Sequence, residues 1–275
     1  MNVLSAQRIP FVKATACGND FLIVESARVA GDHSEFTRKI CDRHFGVGAD
    51  GVEWLSSATN ASADIQIHLI NADGSMAEIS GNGTRCVAAH WFSEHAGSAG
   101  ERDRVAIATD AGVKICVLTR NTGAEFEFET AMGQASVGDA LTLRLTADRV
   151  TGIPVSTGNP HFALFVDDFP ERWQQKGAEI GAHQHFKDGV NVEFVKVIDS
   201  ENIEIRIFER GAGETQSSGT GSCASAVAAI AGGRAKSPVQ VHAPGGSQTV
   251  RWENGEIFLL GSARLVCTGD FLWQV

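Results

Sequence analysis

Short stretches in which apolar and polar residues alternate, many of them β-branched, dominate this chain: residues 64–70, 105–108, 113–119, 124–129, 141–145, 192–197 and 203–208. A period of two puts one face of each stretch on a core, so all seven predict strands. Helical segments are fewer. Residues 84–96 and 222–231 predict helices so rich in Ala, Ser and Gly that surrounding backbone can approach closely, which suits a helix enclosed by a sheet. Residues 36–45 and 171–181 predict surface helices, one in each half. The most apolar run, 223–231, falls far short of the roughly 18 residues a bilayer span needs.

These elements recur. GNDF before the apolar run at 22–24 resembles GNPH before the one at 162–166, and His44-Phe45 preceding GVEW at 51–54 resembles His185-Phe186 preceding NVEF at 191–194. The strand ending in Asn71 matches the strand ending in Glu209, and SGNG at 80–83 matches SGTG at 218–221. All four matches keep their order at a spacing near 140 residues, the mark of an internal duplication. The expectation is an α+β fold of two pseudo-symmetric lobes, each a β-barrel-like sheet around a central helix. The N-terminal lobe would cover 1–132, with a strand at 265–275 returning to it, and the C-terminal lobe 133–264.

Composition narrows the function class. A hydrophobic share of 43% with 20% charged residues describes a chain that can build a core, and a net charge of −10 argues against nucleic-acid or anionic-membrane partners. A small-molecule substrate is the expectation that remains. The N-terminal residues carry Arg8 and Lys13 in a mixed polar stretch without an apolar leader core, which predicts a cytoplasmic protein. Six scattered cysteines without a CxxC pair predict neither structural zinc nor a disulfide framework. Dinucleotide and P-loop fingerprints are missing, so no cofactor and no metal are predicted.

The paired SGxG turns carry the chemistry. A glycine-rich turn opening a helix offers free backbone N–H groups and the positive end of the helix dipole, a setting for a carboxylate. Read singly, Ser80-Gly81-Asn82 and Ser218-Gly219-Thr220 are ordinary N-caps. Read as a symmetric pair, they could grip one carboxylate from two sides, with Ser80 and Ser218 on opposite faces of an α-carbon, as two-base stereoinversion requires. Glu209-Arg210 at the end of an apolar strand fits the ammonium and carboxylate of an amino acid, the alternative being an ion pair between them. Asn19, Asn71, Asn159 and Asn191 stand at the mouths of repeat-related strands as turn formers or pocket lining. His161 follows Asn159-Pro160 at a strand start, placed to bond a substrate amine or a base.

GNDF at 18–21, DRHFGVGADG at 42–51, NADGS at 71–75, GNPH at 158–161 and above all ERGAGET at 209–215 resemble the diaminopimelate epimerase family, from about residue 11 to the C-terminus. The resemblance implies two similar lobes with the active site between them, no pyridoxal phosphate or metal, and a homodimer. By similarity Gly81, Asn82, Gly219 and Thr220 would bind the reacting carboxylate. Asn71, Asn159, Asn191 and Arg210 would bind the distal end, Glu209 would accept the ammonium, and Asn19 would be a further contact. His161 and Glu209 would assist proton transfer. A substrate-binding Gln of the family aligns with Gly51, so that contact is expected to be lost.

The two family bases are cysteines, and Ser80 and Ser218 occupy both positions. A thiol titrates near ~8.5 and lower at a helix N-terminus, whereas an alkyl hydroxyl is a poor base at neutral pH. Cys86 and Cys223 lie a turn or more further on and do not replace them. The expected reaction is interconversion of LL- and meso-diaminopimelate on the route to lysine. Three alternatives stay open: an inactive Ser/Ser form of that epimerase; a racemase, isomerase or dehydratase of another amino acid; and a non-catalytic amino-acid-binding homologue.

Overall fold

Phe21 and Ile23 leave their strand on one side and Leu22 and Val24 on the other, and the two pairs belong to separate apolar cores. Strand alternation with both faces buried produces this split, and it organises each half of the chain. The computed structural model describes residues 6–95 and 103–274. Two units divide it, one comprising Met1–Glu129 and Ser262–Val275, the other Thr130–Gly261.

The first unit contains β1 (Gln7–Ala16), β2 (Asn19–Glu25), helix α1 (His33–Ile40), β3 (Gly51–Ser56), β4 (Ile65–Asn71), β5 (Met76–Ala77), helix α2 (Gly81–Glu94), β6 (Arg104–Thr109), β7 (Gly112–Asn121) and most of β8 (Glu125–Gln134). The second contains β9 (Ser136–Val137), β10 (Leu141–Arg144), β11 (Arg149–Ser156), β12 (Pro160–Phe165), helix α3 (Trp173–Gly181), β13 (Asn191–Val197), β14 (Asn202–Glu209), β15 (Gly213–Thr215), helix α4 (Gly219–Ala231), β16 (Val239–Ala243) and β17 (Gly246–Glu253). The long β18 (Glu256–Trp273) starts in the second unit and ends in the first.

Strand pairing repeats step for step. In the first unit β1–β2 is antiparallel, β2–β3 parallel, β3–β4 antiparallel, β4–β6 parallel and β6–β7 antiparallel. In the second, β11–β12, β12–β13, β13–β14, β14–β16 and β16–β17 follow with the same senses. The first circuit closes through β7, β8 and β18 back to β1, with Thr122 N–H bonding Glu125 O and Leu265 N–H bonding Ala124 O. The second closes through β17, β18 and the β8–β9 segment back to β11, with Ala135 N–H bonding Gly255 O. Each unit is thus a closed sheet of the kind the sequence predicted.

A helix fills each barrel. Residues 82–89 of α2 are buried, with Cys86, Val87, Ala88 and Ala89 packed on Ala14, Ile67, Val105, Ile107 and Phe128. Residues 221–229 of α4 are buried against Val155, Val195, Ile205, Val241 and Leu259. Small side chains let strands surround a helix at close range, which is why a helix with almost no polar face forms here. The outward strand faces carry the surface helices: Phe36 and Ile40 of α1 pack on Leu22, Val52 and Trp54, and Trp173 and Ile180 of α3 on Phe162, Val192 and Phe194. Both central helices begin three residues before the predicted starts, and α1 runs from His33 rather than from residue 36. A serine cap before each central helix sets the earlier start, as the Asp32 carboxylate does for α1 by accepting from Ser34 N and Glu35 N. Among the described residues no helix is long and apolar enough to cross a membrane.

Candidate active site

Ser80 precedes α2 with extended backbone (φ −121°, ψ 121°), and its Oγ accepts the Gly83 N–H at 3.0 Å. Its carbonyl accepts from Thr84 N and Thr84 Oγ1, both at 2.8 Å. Helix geometry leaves the N–H groups of Gly81 and Asn82 without an acceptor inside the helix. A Cβ added to Gly81 would meet nothing within 4 Å, so this turn faces open space. Ser218 repeats the geometry at α4 (φ −141°, ψ 127°): its Oγ accepts the Gly221 N–H at 3.3 Å, and its carbonyl the Ser222 N–H at 2.9 Å. Each turn therefore presents the donors a carboxylate needs.

In the first unit one polar chain supports the turn. Asn82, buried within α2, donates to Asn19 Oδ1 at 2.7 Å and accepts from the buried Arg85, and Asn19 donates to Asp50 at 3.0 Å. Arg85 also donates to Cys17 Sγ at 3.8 Å. Gly51 and Asn71 sit opposite each other in the β3–β4 register. A Cβ at Gly51 would stand 2.7 Å from Ile70 O and 3.2 Å from Leu69 Cδ1, so the backbone here leaves no room for a side chain. Asn71 donates to Ser75 Oγ at 3.0 Å and stays within its own turn.

The second unit gathers more of the predicted residues into one network. His161 is 1% exposed, with Nδ1 2.6 Å from Glu193 Oε1 and Nε2 2.9 Å from Asn159 Oδ1. Asn159 in turn donates to Thr220 Oγ1 at 3.5 Å, and Thr220 Oγ1 lies 3.4 Å from Ser218 Oγ. With both ring nitrogens taken, His161 acts by orienting Asn159 and has no nitrogen left for a ligand. Asn191 is buried, donating one amide hydrogen to Pro160 O at 3.0 Å and accepting Arg210 N–H at 2.9 Å. Glu209 and Arg210 diverge: Glu209 accepts from Thr215 Oγ1 at 2.8 Å, while the exposed Arg210 guanidinium donates to Asp188 O at 3.1 Å. The ion pair between these two neighbours is not formed, and the carboxylate stays available.

Carboxyl groups dominate the electrostatics. Burial raises Glu209 above the ordinary carboxylate range, with hydrogen bonds from Thr215 and Ser218 and the nearby His161 pulling the other way and Glu193 adding to the rise. A carboxyl raised by burial beside a serine is suited to trading a proton. Cys86 and Cys223 are fully buried among apolar neighbours, and burial pushes the Cys86 thiol up, away from reactivity.

Sequence reasoning assigned no chemistry to Glu53 or Glu193, although GVEW and NVEF carried the repeat. An acidic residue flanked on both sides by apolar ones in a strand was the available signal. Both side chains are 0% exposed and face inward, toward the first turns of α2 and α4 respectively.

The family model described as diaminopimelate epimerase matches residues 11–137 and 153–266. Diaminopimelate epimerases of Pelotomaculum thermopropionicum and Halothermothrix orenii are 36% and 34% identical, over 96% and 97% of this chain and 99% of each relative. At the level of fold, a PhzF-family phenazine biosynthesis protein of Bacillus anthracis superposes with a TM-score of 0.71 at 16% identity, over 96% of this chain and 99% of that one. A hydroxyproline epimerase of Agrobacterium vitis does so with 0.68 at 14%, over 98% and 92%. Matches along both repeats, and relatives this similar over nearly their whole length, make the chain a member of the diaminopimelate epimerase family of isomerases.

Proposed function

We infer that the protein inverts an α-carbon of diaminopimelate, interconverting the LL and meso isomers by removing a proton from one face and returning one to the other. The observation that carries this reading is Ser218. It caps α4 beside free helix N–H groups, and its side chain lowers the pKa of Glu209, a neighbouring carboxyl that burial raises. The N–H groups of Gly219 and Thr220, and in the first unit those of Gly81 and Asn82, bind the substrate carboxylate and stabilise the negative charge that builds on it as the α-proton leaves. Glu209 receives or supplies the proton through Ser218, which compensates for the weak basicity of a hydroxyl. Asn19, Asn71, Asn159, Asn191 and Arg210 take the remaining polar groups of the substrate, and His161 holds Asn159 in place.

Incubation with LL-diaminopimelate followed by chiral chromatography tests this: meso isomer should accumulate, and E209Q should lower the rate by about 100-fold or more. A second reading, a binding protein that holds an amino acid without turnover, draws on the hydroxyl groups at both base positions. Calorimetric binding of diaminopimelate with no isomer formed would favour it, and turnover of another amino acid alone would move the substrate assignment.

A further inference from the structure

Glu53 stands out among the buried groups because neither of its carboxyl oxygens has a hydrogen-bond partner. Its repeat mate Glu193 is as deeply buried but is held by His161. The residue repeating His161 in the first unit is Phe21, which offers no such bond. A carboxyl without a partner in an apolar interior is costly, and an apolar residue in its place would remove the cost. The chain also keeps the space for it open: a Cβ on Gly83 would overlap Glu53 Oε1 and would stand 3.3 Å from Ser80 Cβ. The carboxyl and the Ser80 side chain thus flank one point at the first turn of α2. Ser80 Oγ accepts from Gly83 N, so its own hydrogen is left to donate.

We propose that Glu53 is the proton reservoir behind Ser80, so that the first unit moves its proton through a serine–carboxyl relay. The assignment rests on the reading that this protein inverts an α-carbon. In the delivering direction the Ser80 O–H proton goes to the substrate α-carbon, whose carbanion electron pair forms the new C–H bond, while the Glu53 carboxyl proton passes to Ser80 Oγ. Glu53 ends as carboxylate and Ser80 as hydroxyl again. In the abstracting direction the C–H pair remains on the substrate, delocalised into its carboxylate, and Glu53 ends protonated. The Glu53 carboxyl oxygens have no hydrogen-bond partner, and a turn of the Ser80 side chain brings its hydroxyl onto the carboxyl to close the relay. Burial supports the role by pushing Glu53 up to about 8, where it can hold and release a proton near neutral pH. Glu53 acts through Ser80 and is a positioning residue.

The test uses the full chain, LL-diaminopimelate, α-proton exchange in deuterium oxide followed by NMR, and calorimetric binding. E53Q should slow exchange by about 100-fold or more with binding changed by less than about threefold, a loss in turnover without a loss in affinity. S80A should do the same, and S80A combined with E53Q should be no worse than either alone, because the two groups act as a unit. In an S80C background the thiol carries its own proton, and adding E53Q should cost little. If E53Q folds poorly by circular dichroism, E53L supplies the same comparison with a side chain suited to the apolar surroundings. Exchange in E53Q and E53L within about threefold of the unsubstituted protein, or losses that multiply in the double variant, would overturn the assignment. Absence of exchange in the unsubstituted protein would instead remove the epimerase reading and Glu53's role with it; exchange that persists without Glu53 removes only the latter.

Discussion

His161 Nδ1 lies 2.6 Å from Glu193 Oε1, with the two side chains 1% and 0% exposed. The pair locks the imidazole, and the other ring nitrogen locks Asn159 at the mouth of β12. Removing one partner strands the other in an apolar interior. E193L or H161F alone should therefore destabilise the second unit by about 3–5 kcal/mol, while the double variant H161F/E193L should recover part of that loss. Urea unfolding of the three variants checks the order.

Gly83 and Gly221 occupy the same helix position but differ in clearance. A Cβ at 83 would overlap Glu53 Oε1, whereas a Cβ at 221 would stand 3.0 Å from Glu193 Oε1 and 3.2 Å from Ser218 Cβ. G83A should cost about 1–3 kcal/mol by overpacking, more than G221A, and E53A added to G83A should return most of it. Thermal unfolding of the matched variants measures the difference.

Much of this architecture was legible before any coordinates. The alternation at 64–70 and 203–208 became β4 and β14 within a residue, because one inward face per strand is all that a barrel around a helix asks for. The duplication named its own matches, and 18–21 and 158–161 open β2 and β12 in the same way. The hydrogen-bond economy was hidden. Asn191 reads as a ligand in the sequence, which does not show that its amide also closes two backbone contacts, or that His161 is buried with Asn159 on its Nε2. Glu53 was hidden for the opposite reason: nothing in a strand sequence says that a carboxyl is turned inward without a partner.

The Glu53 carboxyl also makes stability depend on pH. Burial raises it from 4.5 to about 8 in the folded protein, so between these values the folded state binds the extra proton and stability falls as pH rises. The contribution is fully present below about 4.5 and is lost through about 8, amounting to a few kcal/mol on the order of the linkage relation. E53Q should flatten the stability profile across that window. Denaturant midpoints from pH 5 to pH 9 report it directly.

Placing thiols at the two helix starts should raise activity, since a cysteine at a helix N-terminus ionises near neutral pH and a serine does not. S80C/S218C should epimerise LL-diaminopimelate at least about tenfold faster than the unsubstituted chain, and the rate should become sensitive to iodoacetamide. Cys86 and Cys223 are fully buried, so iodoacetamide should leave both unmodified in the folded unsubstituted chain.

The central claim is proton transfer on two faces of one α-carbon. Mass spectrometry of an early time point in deuterium oxide, starting from LL-diaminopimelate, reads it most directly. The account predicts one solvent deuterium at the inverted carbon of the meso product and almost none in the remaining LL substrate. Deuterium accumulating in unreacted LL substrate as fast as in product, or product formed without solvent deuterium, would contradict it.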